Sequence, residues 1–244
     1  MQGTGRRRLY LMRHGHVDYF APGLTDPRTV TLTEEGEAQA AAAGAALSSA
    51  SFDIAVFSGL PRTRQTAEIV LNVNDAPPQL MSEPRLEELK SGWIKADTRE
   101  ELAARLAFCF DDAAEPGARF LPDGETFADA EARIVEGVTA LIQESVWKTA
   151  LIVAHEGVNR ILLGWASRGG LQTISAFEQD LGCINVIDFD IAPAPDGAGL
   201  QIERAILKAV NVTPYDYIKH GLPKTSLEHL FDVDFGRARP DRPV

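Results

Sequence analysis

The chain has 244 residues, of which 45% are hydrophobic and 24% charged, so it can bury a core and has an ordinary globular composition. Its formal net charge of −11 argues against nucleic acid or an anionic membrane as a general partner, and no apolar stretch is long enough for a transmembrane helix or a signal peptide. The two cysteines, Cys109 and Cys183, lack the spacing of a metal or redox motif, so we expect reduced thiols and a cytoplasmic location.

Short apolar runs alternate with helix-start signals along most of the chain. In chain order, we predict a strand at 8–13, a helix at 33–49, a strand at 53–57, a helix at 61–72, a short strand near 79–82, helices at 98–113 and 126–145, a strand at 150–154, a helix at 157–168, strands at 183–190 and 201–208, and a short helix at 226–231. Thr33, Thr98 and Thr126 occupy N-cap positions, and Pro61 is a first helical residue. This alternation predicts an α/β fold in three layers, with a mostly parallel central sheet and helices on both faces.

Three segments depart from the alternation. Residues 90–125 contain one predicted helix and a Glu-Pro-Gly loop, and residues 191–199 form a Pro- and Gly-rich turn that predicts a hairpin. The segment 211–244 is rich in turn residues, and we expect disorder over 236–244. We interpret the whole chain, residues 1–244, as a single domain with a C-terminal tail from residue 211.

Basic side chains follow three of the predicted strands. Arg13 and His14 end the first strand, Arg62 comes shortly after the second, and His155 ends the strand at 150–154. Open α/β sheets bind ligands at such strand ends, and guanidinium groups bind phosphate oxygens in a bidentate fork. Nearby arginines lower the pKa of a histidine, which favours the neutral imidazole that can attack phosphorus. A second histidine at the same phosphorus is suited to hydrogen bonding with the oxygens.

A zinc site built on the two histidines is the competing interpretation of these residues, because imidazole is a good zinc ligand. No further Cys or His has ligand spacing, and the adjacent arginines would repel a divalent cation. We therefore predict no metal ion and no cofactor.

The combined motifs resemble the histidine phosphatase superfamily, also called the phosphoglycerate-mutase-like family, over roughly residues 8–210. The resemblance implies that His14 is the nucleophile that accepts the phosphoryl group. It implies that Arg13 and Arg62 bind phosphate and that His155 is the second catalytic and phosphate-binding histidine.

The resemblance also implies a general acid and a cap. Glu88 aligns with the carboxylate that protonates the leaving group and then activates water. Its neighbour Glu87 is the rival, because adjacent side chains on an extended segment point in opposite directions and only one should face the pocket. The insertion at 90–125 corresponds to the segment that covers the site in the family, so we interpret it as a small cap insertion.

Several residues depart from the family pattern and are candidate substrate contacts: His16, Tyr19, Phe20, Trp93 and Glu156. Aromatic residues stand where the family motifs have polar ones, or stand in an incomplete form of the motif. This indicates an apolar rim around the predicted site. His16 either joins the pocket or caps a loop. Glu156 stands where the family has glycine, and it is either an alternative proton donor or a solvated residue in the first turn of a helix.

Metal-independent hydrolysis of a small phosphorylated substrate is the function that these residues favour, as in a histidine acid-type phosphatase. The alternatives are mutase-type phosphoryl transfer and a catalytically weak relative that binds a phosphorylated ligand or a protein. The segment at 19–31 lacks the motif that typifies the mutases of the family. The sequence leaves the natural substrate and the oligomeric state open.

Overall fold

A computed structural model describes residues 3–90, 98, 101, 105–197 and 199–231. The strands are β1 (Gly5–Arg13), β2 (Ile54–Phe57), β3 (Leu80–Ser82), β4 (Thr149–Ala154), β5 (Ile184–Pro193) and β6 (Leu200–Val212). The helices are α1 (Glu34–Ala46), α2 (Pro61–Leu71), α3 (Phe127–Glu144), α4 (Glu156–Ala166) and α5 (Ser226–Phe231), with short 3₁₀ helices at Pro27–Thr29, Pro84–Leu86 and Gly170–Ala176.

The six strands form one sheet in the order β3-β2-β4-β1-β5-β6. Neighbours from β3 to β1 pair in parallel, whereas β5 is antiparallel to both β1 and β6. The short turn between β5 and β6 requires these two strands to be antiparallel, because a parallel return needs a long crossover. The α/β fold with a mostly parallel sheet is therefore confirmed, and so is the predicted hairpin.

Helices cover both faces of this sheet. Along β1, Leu9 and Leu11 enter the apolar cluster that contains α3 and α4, whereas Met12 enters the cluster that contains α1 and α2. Successive strand residues point to opposite faces, so an uninterrupted apolar run is needed where both faces are buried. The arrangement leaves the carboxyl ends of β1, β2 and β4 side by side at one edge.

Local signals place most helix starts correctly. Thr33 and Thr126 accept hydrogen bonds from the amides of Gly36 and Asp129, at 3.2 and 3.0 Å, and Pro61 opens α2. Thr98 likewise accepts a bond of 3.1 Å from the amide of residue 101. Among described residues, no helix is both long and apolar enough to cross a bilayer.

The predicted ends of several elements are wrong. Residues 105–107 are helical, but 108–114 form successive turns, so the helix predicted to reach residue 113 ends early. Its amides bond three residues back, as from Asp111 to Phe108 at 3.0 Å, while Phe110 packs against Phe120. The β5–β6 ladder extends beyond both predicted strands, because the turn needs only residues 194–199. The expectation of disorder at 236–244 lies outside the described residues.

Candidate active site

The predicted basic residues meet at the carboxyl edge of three adjacent strands. Arg13 pairs in register with Ala154, which places His14 and His155 at neighbouring strand ends with ring centroids 5.2 Å apart. Arg62 reaches both rings from the first turn of α2. These four residues are at most 6% exposed. The two histidines, which are 141 positions apart in the chain, are therefore neighbours at one sheet edge.

Two close glycine contacts hold the loop that carries His14. A Cβ atom on Gly15 would overlap the backbone of Gly36 in α1, and one on Gly36 would overlap the carbonyl of His16. The amide of Gly15 also donates to the hydroxyl of Thr66 in α2 at 3.1 Å. The loop is thus packed between two helices, which fixes where the His14 ring projects.

The surroundings of His14 select one tautomer. Its Nδ1 lies 2.7 Å from the carbonyl oxygen of Gly15, which can only accept, so Nδ1 carries the hydrogen. Arg62 Nε donates to His14 Nε2 at 3.3 Å, as an unprotonated nitrogen requires. Burial, and then the charges of Arg62 and Arg13, hold the pKa of His14 well below its ordinary value. His14 is thus neutral, with the Nε2 lone pair facing the site.

A chain of hydroxyl groups orients His155. Thr63 donates to the carbonyl of Leu60 at 2.9 Å, so its oxygen accepts from Ser58, and Ser58 in turn accepts from His155 Nε2 at 2.8 Å. The other ring nitrogen, Nδ1, lies 3.4 Å from Arg62 Nη2. Burial and the arginines lower the pKa of His155 strongly. Ser58 and Thr63 are not among the site residues predicted from the sequence, although their positions directly after β2 and in the first turn of α2 are a signal for a role at the site.

Arg13 is held along one edge only. Its Nη1 donates to the carbonyl of Gln179 at 2.6 Å and to the hydroxyl of Ser226, and it lies 3.2 Å from the Glu156 carboxylate. Its Nε is buried without a hydrogen-bond partner. A buried guanidinium N–H of this kind is costly unless an anion accepts from it. Ser226 belongs to α5 in the C-terminal tail, a segment in which the sequence predicts no site residue.

Glu156 is buried, not solvated, and this corrects one of the two interpretations given above. Its side chain is 6% exposed and forms ion pairs with Arg13 and, at 2.8 Å, with Arg160; the hydroxyl of Ser226 also donates to it at 2.7 Å. Burial by itself would raise its pKa, but the two arginines hold it below the ordinary value. Glu156 is thus an ionised group that orients arginines, which makes it unsuitable as a proton donor.

Glu87 and Glu88 both line the site but differ in their partners. Glu87 forms two hydrogen bonds with Arg28, at 2.7 and 3.0 Å. Glu88 accepts from the amides of Leu89, at 2.9 Å, and Gly157, at 3.4 Å. Burial raises the pKa of Glu88, against the opposing effect of the Leu89 amide. A carboxyl group with a raised pKa and no ion pair to a described cation is suited to donate a proton.

Of the other predicted substrate contacts, Tyr19 and Phe20 line the cavity of the site, whereas His16 does not. The Tyr19 ring lies over the Arg62 guanidinium at 5.7 Å, and Phe20 is 67% exposed at the rim of the same cavity. His16 bonds to Thr33 at 2.8 Å and lines a smaller neighbouring cavity, so it supports the loop against the start of α1. Trp93 lies outside the described residues.

A cavity of about 550 Å³ is lined by Arg13, His14 and Arg62 and by three glutamates, Glu87, Glu88 and Glu156. Among the described residues, no three His, Cys, Asp or Glu side chains are grouped so that they could hold a metal ion. The cavity therefore presents a neutral histidine, buried guanidinium groups and a carboxyl group with a raised pKa to one space.

Comparisons with known proteins agree with this geometry. The family model of the histidine phosphatase superfamily (branch 1) matches residues 9–192. The adenosylcobalamin/alpha-ribazole phosphatase of Salmonella typhimurium is 31% identical over 188 residues, covering 74% of this chain and 90% of that protein. A 2,3-bisphosphoglycerate-dependent phosphoglycerate mutase of Bartonella bacilliformis is 32% identical over 168 residues, covering 65% and 80%. The solved alpha-ribazole phosphatase of Shigella flexneri is similar at a TM-score of 0.64 and 25% identity, covering 84% of this chain and 96% of that one.

Proposed function

This chain belongs to the histidine phosphatase superfamily, and we propose that it hydrolyses phosphate monoesters through a phosphohistidine on His14, without a metal ion. One observation carries the proposal. The neutral, buried His14 accepts from Arg62 on Nε2, has the charge of Arg13 nearby, and lines the cavity that also contains a carboxyl group with a raised pKa. Phosphoryl transfer needs these three things: positive charge, a nucleophile and an acid for the leaving oxygen.

In the first step, Arg13 and Arg62 bind the phosphoryl oxygens and His14 Nε2 attacks phosphorus. The bond from phosphorus to the ester oxygen breaks as the nitrogen–phosphorus bond forms. Glu88 gives its proton to the departing oxygen, so the alcohol leaves neutral and Glu88 is left as a carboxylate. His155 takes up a proton from solvent on Nδ1 when the phosphate binds and returns it to solvent when inorganic phosphate leaves, because the added negative charge offsets the arginines that keep it neutral.

In the second step, the Glu88 carboxylate accepts a proton from water, and the water oxygen attacks the phosphohistidine. The nitrogen–phosphorus bond breaks, inorganic phosphate forms, and both His14 and Glu88 return to their starting protonation states. Glu156 remains ionised throughout and holds Arg13 and Arg160 in place.

The likeness to a phosphoglycerate mutase makes mutase-type transfer the second candidate. A mutase must keep the phosphohistidine from water and rebind a substrate that carries another anionic group. At the Glu87 side of this cavity, Arg28 is already paired with a carboxylate, which disfavours a second anion there. The geometry thus supports hydrolysis better than transfer.

Hydrolysis of p-nitrophenyl phosphate in the presence of a chelator tests the proposal. We expect turnover by the wild type, and a loss of at least about 10³-fold in His14→Ala, because the nucleophile is removed. The exposed His220→Ala is the matched control and should keep full activity. Acid-quenched protein should carry phosphate on a histidine in the wild type only. Activity that persists in His14→Ala, or that chelation abolishes, would refute the mechanism, and phosphate binding without turnover would indicate a weak relative.

A further inference from the structure

The cavity is far larger than the group that the arginines bind. A phosphate occupies roughly the space of three waters, about 100 Å³ at ~30 Å³ each, whereas the cavity measures about 550 Å³. Most of the space is therefore available to the alcohol part of a substrate. The chemistry of the remaining lining then indicates which kind of alcohol fits.

That lining is mainly apolar. Besides the rim aromatics and Pro27, Leu60 and Leu89, its apolar side chains are Leu106, Phe110, Phe120, Leu121, Leu227 and Leu230. The first four come from the insertion at 90–125 and the last two from α5. We use the term apolar wall for these six residues.

The apolar wall is anchored in the core. The Phe110 ring packs against Phe120 and Phe127, at centroid distances of 5.3 and 6.1 Å, and the Arg160 guanidinium lies 4.7 Å from its centroid. Phe110 is 7% exposed and Leu106 is 2% exposed. A wall that is packed before the ligand arrives needs little ordering on binding, so the burial of apolar ligand surface contributes directly to affinity.

Charge argues against a strongly anionic alcohol. Among the described lining residues, the cations beyond Arg13 and Arg62 are Arg28, which is paired with Glu87, and Lys90, which is exposed. A carboxylate or second phosphate on the alcohol would have to compete with Glu87 for Arg28. An uncharged alcohol meets no such competition.

From these observations we infer that the substrate of this site is the phosphate monoester of a bulky, apolar alcohol, which lies against the apolar wall. The inference rests on the proposed function, and it assigns a substrate-binding role to the insertion at 90–125 and to α5. The phosphate is held at the strand ends and the alcohol by the two chain segments that close over them.

A series of primary alkyl phosphates from ethyl to hexyl tests the inference, because the alcohols are nearly equal leaving groups and differ only in apolar length. We expect kcat/KM to rise by up to about fourfold for each methylene buried, and by at least about tenfold over the series. Leu121→Asn and Leu230→Asn should flatten this rise, so that their loss of kcat/KM relative to the wild type grows with the length of the alkyl chain. Both side chains are half-buried, so the folding cost is small.

Val146→Asn is the matched control, since Val146 is 70% exposed and precedes β4 at the opposite edge of the sheet. A flat series with measurable turnover would overturn the inference and leave the proposed function intact. If no ester is turned over, the proposed function fails. Calorimetric binding of ethyl and hexyl phosphonate then decides the inference: tighter hexyl binding that Leu230→Asn abolishes supports it, and equal affinities overturn it.

Discussion

At the scale of single residues, Glu87 and Glu88 show how neighbouring groups of one chemical type acquire different roles. Glu87 is neutralised by Arg28, whereas Glu88 is half-buried and, among the described residues, accepts from the backbone amides of Leu89 and Gly157. For Glu88→Gln we expect kcat on an alkyl phosphate to fall by about 10²–10⁴-fold, since a poor leaving group needs the acid. The loss on p-nitrophenyl phosphate should be smaller, because nitrophenolate leaves without a proton. Glu87→Gln is the isosteric control and should change kcat by less than tenfold.

The pH profile gives a second measurement of Glu88. The acid must be protonated in the first step, so kcat/KM should fall as the pH rises through its raised pKa. In Glu88→Gln this alkaline fall should disappear, although the residual rate is low. A profile with the same fall in both proteins would assign the acid to another group.

The two buried histidines link stability to pH. An unfolded histidine takes up a proton below about pH 6.5, whereas burial keeps His14 and His155 neutral in the fold. Because the unfolded chain then binds more protons, the free energy of unfolding should decrease as the pH falls below 6.5. Each histidine contributes at most about 1.4 kcal/mol per pH unit, or about 2 kcal/mol by pH 5.

Urea unfolding between pH 7.5 and 5 measures this dependence. His155→Gln should flatten the decrease, whatever its effect on stability at pH 7.5. The exposed His220→Gln should keep the wild-type slope. Equal slopes in all three proteins would mean that His155 becomes protonated in the folded state.

At the scale of elements, α5 belongs to the site despite its distance along the chain. The Ser226 hydroxyl accepts from Arg13 and donates to Glu156, and so connects the tail with the ends of β1 and β4. For Ser226→Ala we expect KM to rise about fivefold with a smaller change in kcat, since one hydrogen bond near a charge is lost and Arg13 is less well oriented. Steady-state kinetics on one alkyl phosphate separates the two constants.

Ser49→Ala, at an exposed position after α1, controls for the loss of a hydroxyl as such. A purely structural role of Ser226 would lower the midpoint of urea unfolding and leave KM unchanged. That result would remove α5 from the binding site and would also weaken the case for Leu227 and Leu230 as substrate contacts.

The elements that the sequence predicts well are those with local causes. Apolar runs such as 150–154 and capping residues such as Thr33 act over a few positions, and they were sufficient to bring His14 and His155 to one sheet edge. The burial of Glu156 has a different origin, because it depends on Ser226, 70 positions away. A residue in the first turn of a helix is solvent-exposed when nothing packs over that turn. For Glu156 this local rule fails, because the distant Ser226 packs against it.

At the scale of the whole molecule, the net negative charge of −11 opposes an anionic substrate, whereas the site presents buried cations to it. The chain has 35 acidic residues and 24 basic ones, yet the cavity is lined by the buried Arg13 and Arg62. The excess negative charges of the chain repel one another, and added salt screens this repulsion. Any salt should therefore stabilise the fold to some degree. A specific anion site should produce a further stabilisation on top of this effect.

Phosphate should therefore raise the free energy of unfolding more than chloride at the same ionic strength. The residues of the site come from distant parts of the chain, from Arg13 to Ser226, and the folded sheet brings them together. Unfolding of the sheet therefore destroys the site and releases the anion. At a phosphate concentration 100 times its Kd, the linkage amounts to about 2.7 kcal/mol.

Urea titrations in matched sodium phosphate and sodium chloride measure the difference. Arg62→Gln should remove it, whereas Arg64→Gln, which loses an exposed guanidinium from the same helix, should keep it. Equal stabilisation by the two salts in the wild type would mean that the buried arginines do not form a phosphate site.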